Sequence, residues 1–317
     1  MTDDVILGPG DDAAVTAAPD GRTVSTTDLL VEGRHFRRDW SSARDVGHRA
    51  VAQNFADVVA MGARPTALLI GFAAPPDLPV AWAEEFTAGV AAECAVAGGT
   101  VVGGDMVGSD VLTIAVTALG DLQGVEPVRR AGARPGDVVA GTGHLGLSAA
   151  GLALLEHGTD GIDEVFEEGV ALCLAEHRRP TPPYAAGPEA VRLGATAMLD
   201  VSDGLAQDLG HVCRASGVRI DLDSIALNPP SELVTAVRAL GVTPGRAVEA
   251  ARDLMITGGE DHALVATFPA STSLPAHWYH LGTVVEGEPG IGEKPEVPVS
   301  VDGRPVRARG WEHFRQG

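Results

Sequence analysis

Short apolar runs, each about the length of one strand, alternate along this chain with longer segments that have helical spacing. The runs TALLIGFAAP and VLTIAVTALGDL stand on either side of PVAWAEEFTAGVAAECAVAGG, a helical segment that ends at a glycine pair. Such alternation predicts layers in which helices pack on a sheet. Because aromatic residues make up only 4% of the chain, the core must consist mainly of Ala, Val, Leu and Ile, as in layered α/β proteins.

The N-terminal part of the chain carries clear local signals for a strand and a helix. Residues 22–31, RTVSTTDLLV, follow the turn signal PDG and predict a strand whose middle is polar. Ser42 and Asp45 have the spacing of a capping box, and the segment that follows is closed by Gly62 and Pro65. A helix is therefore expected to begin near Ser42 and to carry Asp57.

Residues 123–137 form a stretch poor in apolar residues, which predicts a domain boundary. We expect the first domain to comprise residues 1–126 and the second to comprise residues 127–317. A length of 317 residues also favours two domains. The second domain is expected to be α/β as well. Its predicted strands are 137–141, 196–202 and 262–268, its predicted helices are 147–158 and 205–217, and 286–298 is expected to be irregular.

Composition excludes several classes of protein. No run approaches the ~20 apolar residues that span a bilayer, and the first residues do not resemble a signal peptide, so a soluble cytoplasmic protein without membrane contact is expected. A net charge of -20 disfavours binding to nucleic acid. The single lysine, Lys294, lies in a Gly/Pro-rich segment, which excludes a Walker A loop. The three cysteines have no metal-binding spacing and are expected to be small buried side chains.

Two glycine-rich stretches resemble nucleotide-binding motifs. GPGDDAAV, residues 8–15, matches G-x-G-x-x-A, but a turn follows too soon for the required helix, so a hairpin is expected. Its two carboxylates, Asp11 and Asp12, either form an Asx-type turn or face a cation. GTGHLG, residues 141–146, lies between a strand and a helix, where its N–H groups could meet a phosphate or its glycines could serve helix packing.

Acidic residues at strand ends and on an apolar helix face are the strongest indication of chemistry. Any one of them has a structural alternative: a turn, a helix cap, or a pair with an arginine. The five acids are Asp28, Asp57, Asp105, Asp200 and Asp203. Together, on both predicted domains and without His or Cys neighbours, they suit several Mg²⁺ ions. Phosphoryl transfer between two anions is the chemistry that needs such an arrangement.

The chain resembles the thiamine-monophosphate kinase family, in the superfamily of aminoimidazole ribonucleotide and selenophosphate synthetases. The resemblance rests on motifs in family order: GPGDDAAV, STTDLLVEGRHF, NFADVVAMGA, VVGGDMV, RRAGARPGD, LDVSDGL, TGGEDHAL and GWEHF. It implies two α/β domains, an N-terminal sheet that forms a homodimer interface, and an ATP-Mg site in the cleft between the domains. Thiamine monophosphate and ATP are the implied substrates.

The resemblance also implies roles for individual residues. The catalytic residues would be Asp57, Asp105 and Asp200. The metal ligands would be Asp12, Thr26, Thr27, Asp28, Asp57, Asp105, Asp200 and Asp203. ATP would contact Gly104, Asp105, Arg130 and Ser202, and thiamine monophosphate would contact His35, Glu260 and Trp311. An alternative is a related ATP-dependent synthetase; a protein that only binds metal or nucleotide is a more distant one.

Overall fold

The computed structural model describes residues 2–9, 13–287 and 298–306 and divides the chain into two compact units. The first unit comprises Met1–Pro127 together with the segment Tyr184–Glu189, and the second comprises Val128–Pro183 and Ala190–Gly317. The functional domains 1–126 and 127–317 remain a prediction. By its contacts, the segment Tyr184–Glu189 lies with the first unit.

The first unit is built on a four-stranded sheet with the order β3-β6-β4-β5. Its elements are β1 (Val5–Leu7), β2 (Val15–Thr16), β3 (Val24–Val31), α1 (Ala43–Ala60), β4 (Arg64–Ala74), α2 (Val80–Ala97), β5 (Thr100–Gly108) and β6 (Thr113–Asp121). Strands β4 and β5 are parallel and are connected through α2, whereas β3 and β4 each pair antiparallel with β6. Strand β1 pairs antiparallel with β2, which agrees with the expected hairpin.

The predicted helix around Asp57 is confirmed as α1. The Ser42 hydroxyl accepts the Asp45 N–H, and the Asp45 carboxylate accepts the Ser42 N–H, so the capping box is complete. The strand predicted over residues 22–31 is confirmed as β3. Strand β5 was not predicted, because the pair Gly103 and Gly104 interrupts the pattern of β-forming side chains there.

Helices α1 and α2 pack on one face of this sheet. They approach so closely that a Cβ atom added at Gly47 would lie 2.1 Å from the Phe86 carbonyl oxygen, and one at Gly89 would lie 2.1 Å from that of Arg44. Glycine is therefore required at both positions. Phe55 is fully buried in the core that α1 shares with the sheet. The opposite face of the sheet carries neither helix.

A buried hydrogen-bonded network holds the segment Tyr184–Glu189 within the first unit. The Tyr184 hydroxyl donates to Glu93 Oε1 at 2.5 Å, and His48 Nε2 lies 2.6 Å from Glu93 Oε2. Burial, together with the adjacent Glu93 charge, raises the pKa of Tyr184 well above its ordinary value, so this phenol stays protonated and keeps donating.

The second unit contains a seven-stranded sheet with the order β13-β12-β9-β11-β7-β10-β8. Its strands are β7 (Val138–Thr142), β8 (Ala197–Asp200), β9 (Val218–Leu222), β10 (Leu264–Phe268), β11 (Tyr279–Glu286), β12 (Val299–Val301) and β13 (Arg304–Pro305). Its helices are α3 (Leu147–His157), α4 (Glu167–Arg178), α5 (Ala186–Leu193), α6 (Leu205–Ser216), α7 (Ser231–Ala239) and α8 (Pro244–Thr257), of which α5 begins in the segment assigned to the first unit.

The predicted strands and helices of the second domain correspond to β7, α3, β8, α6 and β10. Helices α4, α5, α7 and α8 and strands β9, β11, β12 and β13 were not predicted. Neighbouring strands of this sheet are antiparallel, except that β9 and β12 are parallel. Most of the expected irregular segment, 288–297, lies outside the described residues. Among the described residues, no helix has the length and apolarity needed to cross a bilayer.

Candidate active site

A hydrogen bond joins β3 to α1 at two of the predicted site residues. The Thr26 hydroxyl donates to Asp57 Oδ2 at 2.8 Å. Both side chains are half-buried between the sheet and the helix. The prediction that Asp57 needs a partner is therefore met, in part, by the Thr26 hydroxyl.

Asp28 lies two residues further along β3, on the same face as Thr26 because side chains alternate along a strand. Its N–H donates to Asn54 Oδ1 at 3.1 Å, and Asn54 Nδ2 donates to the carbonyl oxygen of Ala50. Asn54 is fully buried and was not among the predicted site residues. Its spacing of three residues from Asp57 on one helix was the available signal. Thr26, Asp28 and Asp57 thus form one cluster, which we call the β3–α1 acidic cluster.

The other predicted residues of β3 and β5 lie in different surroundings. Thr27 faces away from α1, and its hydroxyl donates to the Val116 carbonyl oxygen at 2.9 Å. Gly104 lies in the same row across the sheet as Asp28, whereas Asp105 lies in the adjacent row, paired with Gly71. Asp105 Oδ1 accepts the Met106 N–H, and the residue is exposed on the edge strand. The structure therefore does not join Asp105 to the β3–α1 acidic cluster.

His35 lies in the turn four residues after the end of β3 and is hydrogen-bonded to the last residue of that strand. Its Nδ1 accepts the N–H of Val31 at 3.0 Å, and its own N–H donates to the Val31 carbonyl oxygen. An Nδ1 atom that accepts a hydrogen bond carries no proton, so the neutral imidazole holds its proton on Nε2. Nε2 is therefore the donor atom of the His35 ring.

In the second unit, three predicted residues follow one another at the end of β8. Asp200 is the last residue of the strand and is buried, and His262 Nδ1 donates to its Oδ2 at 3.2 Å. Ser202 and Asp203 lie in the loop that leads into α6 and are half-buried. The loop Val201–Gly204, which we call the β8–α6 loop, brings all three residues to one edge of the sheet.

The β8–α6 loop is held by Asp208, a residue that the sequence analysis missed. Asp208 Oδ2 accepts the N–H groups of Ser202, Asp203 and Gly204 at 3.1, 3.0 and 3.1 Å. Burial, together with the charges of Asp200 and Asp203, raises the pKa of Asp208 to about 7. Three carboxylates therefore crowd around one loop, and a cation there would relieve their repulsion.

Glu260 lies against the same loop. Its N–H donates to the Ser202 carbonyl oxygen at 2.8 Å, and the N–H of His262 donates to that of Val201. Glu260 and His262 have φ angles of +67° and +53°, which lie in a backbone region that residues other than glycine seldom adopt. Such strain is held only by strong local contacts, and it occurs here beside a predicted substrate contact.

Arg130 lies beside α6. The Ser216 hydroxyl at the end of that helix donates to the Arg130 carbonyl oxygen at 3.2 Å. Burial lowers the pKa of His211 on α6, the charges of Arg214 and Arg130 lower it further, and Asp203 opposes them. Arg130 and Asp203 thus both influence the charge of His211, while the Arg130 backbone lies at the C-terminal end of α6, away from the β8–α6 loop.

The stretch GTGHLG is explained by packing and by an internal cap. Asp261 is buried, and its carboxylate accepts the N–H of Gly146 at 2.6 Å and that of Ser148 at 2.9 Å. A Cβ atom at Gly146 would lie 2.8 Å from the N atom of Met255. Of the two alternatives, helix packing is therefore favoured, because the N–H groups of Gly146 and Ser148 at the start of α3 already have an acceptor.

Two predicted residues lie outside the described residues: Asp12, with its neighbour Asp11, and Trp311. Among the described residues, no group of three or more His, Cys, Asp or Glu side chains is arranged to hold a metal ion. Mg²⁺ takes one or two carboxylates from a protein and completes its shell with water and substrate phosphates. The hard oxygen donors of the β3–α1 acidic cluster and of Asp200 and Asp203 fit that ion.

Two family models cover most of the chain. The model of the AIR synthase related protein, N-terminal domain, matches residues 10–122, and that of the C-terminal domain matches residues 134–293. The thiamine-monophosphate kinase of Mycobacterium tuberculosis is 46% identical over 312 residues, which cover 98% of this chain and 86% of the relative. That of Corynebacterium glutamicum is 40% identical over 310 residues, covering 96% and 88%.

A solved structure supports the same grouping. AaThiL complexed with AMPPCP and TMP superposes with a TM-score of 0.81 at 34% sequence identity, covering 96% of this chain and 91% of that one. The fold expected from the sequence motifs, two α/β domains of this type, is confirmed by these matches.

Proposed function

Because this chain belongs to the thiamine-monophosphate kinase family, within the AIR synthase related proteins, we propose that it phosphorylates thiamine monophosphate with ATP. The products would be thiamine diphosphate and ADP. The observation that carries this proposal is the similarity to AaThiL complexed with AMPPCP and TMP, which extends over 96% of the chain. The crowded carboxylates at the β8–α6 loop support it, since they suit a site for metal-bound phosphates.

The proposed reaction is a direct in-line transfer. An oxygen of the substrate phosphate forms a bond to the γ-phosphorus of ATP, and the bond from that phosphorus to the β,γ-bridging oxygen breaks, so its electron pair leaves with ADP. Both reactants are anions and the chain has a net charge of -20, so positive charge must be brought in. Bound Mg²⁺ would screen the phosphates from each other and from the acidic side chains.

The residues of this chain would bind and orient the two substrates. Asp57, Asp105 and Asp200 are proposed as the catalytic residues, together with the remaining metal ligands Asp12, Thr26, Thr27, Asp28 and Asp203. Gly104, Asp105, Arg130 and Ser202 would contact ATP. His35 would lie nearer the phosphate or linker of thiamine monophosphate, while Glu260 and Trp311 would bind its cationic ring.

We also propose that the chain forms a homodimer through the open face of the first unit's sheet. Leu29, Leu69 and Val107 belong to rows whose side chains point away from α1 and α2, and they are 51%, 40% and 63% exposed. A second copy would cover these apolar side chains. As an ATP-consuming kinase the protein would act in the cytoplasm.

Turnover of thiamine monophosphate with γ-labelled ATP tests the proposed function. We expect the label in thiamine diphosphate and one ADP for each product molecule. Label released as inorganic phosphate without an organic diphosphate would contradict the kinase and favour the related ATP-dependent synthetases. An incubation without thiamine monophosphate serves as the control for simple ATP hydrolysis.

A further inference from the structure

The carboxylate of Asp208 is the anchor of the β8–α6 loop. One oxygen, Oδ2, accepts three consecutive backbone N–H groups at 3.0 to 3.1 Å. Asp208 is 5% exposed, and it lies in the first turn of α6, whose N-cap residue, Gly204, has no side chain to cap the helix. A side chain from within the helix therefore holds the backbone that leads into it.

These hydrogen bonds decide what the loop can offer to a ligand. Consecutive N–H groups that point outward make a cradle for phosphate. Here the N–H groups of Ser202, Asp203 and Gly204 are directed inward onto Asp208, so they are unavailable to a nucleotide. The loop can contribute only side chains and carbonyl oxygens to the site, and a ligand phosphate must be met by the Ser202 hydroxyl or through a cation.

The side chain of Asp203 is oriented by the same helix. Gln207 Nε2 donates to Asp203 Oδ2 at 3.2 Å. Gln207 and Asp208 are adjacent on α6. Gln207 holds the carboxylate of Asp203, and Asp208 holds the backbone of the loop.

We propose that Asp208 is a positioning residue for nucleotide binding: it fixes the β8–α6 loop so that Ser202 and Asp203 face the metal-bound phosphates of ATP. This inference rests on the proposed function for the identity of the nucleotide. Asp208 itself does not touch substrate. Removing its carboxylate would free three N–H groups, and the loop would take up other conformations in which Ser202 and Asp203 point elsewhere.

Binding of the ATP analogue AMPPCP to the full chain, measured by calorimetry at fixed Mg²⁺, tests this role without requiring any turnover. Asp208→Ala is expected to weaken binding at least tenfold, which corresponds to about 1.4 kcal/mol. Asp208→Asn is expected to stay within about threefold of the unsubstituted chain, because its amide oxygen can accept the same N–H groups.

A matched control is available in the second unit. Asp137 is also buried, and its Oδ2 accepts the Arg134 N–H at 2.9 Å and the Thr196 hydroxyl at 2.7 Å. Asp137→Ala is expected to lower the thermal midpoint as Asp208→Ala does, but to leave AMPPCP affinity unchanged. The comparison separates a loss of loop position from a general loss of stability.

The proposal would be overturned if Asp208→Ala bound AMPPCP as well as the unsubstituted chain, or if Asp137→Ala weakened binding equally. It would also be overturned if Asp208→Asn weakened binding as much as Asp208→Ala, since charge rather than hydrogen bonding would then be responsible. If Asp208→Ala does not fold, Asp208→Glu is tested in its place. Its longer side chain displaces the acceptor oxygen, so it is expected to weaken AMPPCP binding.

A chain that binds AMPPCP but does not phosphorylate thiamine monophosphate would contradict the proposed function. The role of Asp208 in nucleotide binding would still be decided by the binding measurements.

Discussion

The Thr26 hydroxyl lies 2.8 Å from Asp57 Oδ2 and donates to it, across the junction between β3 and α1. A strand residue thereby sets the orientation of a helix carboxylate. Thr26 and Asp57 are 31 positions apart in sequence, so this geometry depends on the packing of α1 against the sheet.

Asp57→Asn is expected to lower kcat on the order of a hundredfold, the usual scale for losing one electrostatic contribution to a transition state. Folding should be retained, because the amide oxygen can still accept from Thr26. Steady-state kinetics at saturating substrates and a thermal melt check both points. Asp39→Asn, which removes an exposed carboxylate of the same unit, serves as the control and should keep kcat. An unchanged kcat in Asp57→Asn would assign Asp57 a structural role.

Removal of divalent cations is expected to abolish phosphorylation of thiamine monophosphate. The physical reason is the mutual repulsion of two anionic substrates and an acidic chain. Product formation is measured in excess EDTA and again after Mg²⁺ is restored, with EDTA already saturated by Mg²⁺ as the control. Full turnover in excess chelator would contradict the proposed metal requirement.

Glu260→Gln is expected to raise KM for thiamine monophosphate about tenfold and to leave KM for ATP nearly unchanged, a cost of about 1.4 kcal/mol. The substitution removes the charge that would offset the cationic ring while it keeps the side-chain shape. Because this contact is the same in the ground and transition states, kcat should change little. Initial rates with each substrate varied in turn provide the measurement, and Glu249→Gln on the exposed side of α8 is the control. Equal changes in both KM values would indicate a disturbed β8–α6 loop instead.

Asp261 is expected to make the protein less stable as the pH rises from about 4 to about 7. Burial raises the pKa of Asp261 from 3.8 to about 7, so within this window the folded state holds a proton that the unfolded state has lost. The free energy of unfolding therefore falls as pH increases and levels off above about 7. Asp261→Asn removes this titration, and the decline should become shallower.

Urea unfolding at pH 4.5 and pH 7.5 checks the Asp261 prediction. Asp261→Asn should also be less stable at both values, because Gly146 and Ser148 donate to different oxygens of Asp261 and an amide has only one. Glu85→Gln, which removes an exposed carboxylate of α2, should keep the pH dependence of the unsubstituted chain. An equally steep decline in Asp261→Asn would show that other groups cause it.

Leu69→Glu is expected to halve the mass of the proposed homodimer in sedimentation. It places a charge among the exposed side chains of the open sheet face, where a second copy would bury it. Ile225→Glu is the control, because Ile225 is 85% exposed in a loop of the second unit and should not affect association. A chain that sediments as a monomer before any substitution would contradict the dimer.

Local signals in the sequence were sufficient for several elements of the fold. Helix α1 could be predicted with its ends because Ser42 and Asp45 form a capping box and Gly62, at φ +80°, stops the helix. Strand β5 could not, because glycines at 103 and 104 remove the side chains that mark a strand. Its place in the sheet comes from pairing with β4, which only the tertiary fold provides.

The site shows the same division between local and long-range information. Asp200, Ser202 and Asp203 were predicted from one motif, and the structure places them together at the end of β8. The role of Asp208 was accessible in principle, since it lies four to six residues from the N–H groups it accepts. The role of Asp261 was not, because it caps a helix whose first residues lie 113 and 115 positions away.

The contact between Tyr184 and Glu93 has a consequence for how this protein can be divided. A fragment that ends at Pro127 would contain Glu93, buried among the residues of α1 and α2, but would lack the phenol that donates to it. A buried carboxylate that loses a donor is strongly destabilising, so such a fragment should fold poorly by itself. The chain leaves the first unit after Pro127, returns to it at Tyr184–Glu189 and then continues in the second unit. A stable N-terminal fragment would therefore need residues 184–189 fused to it as an additional segment.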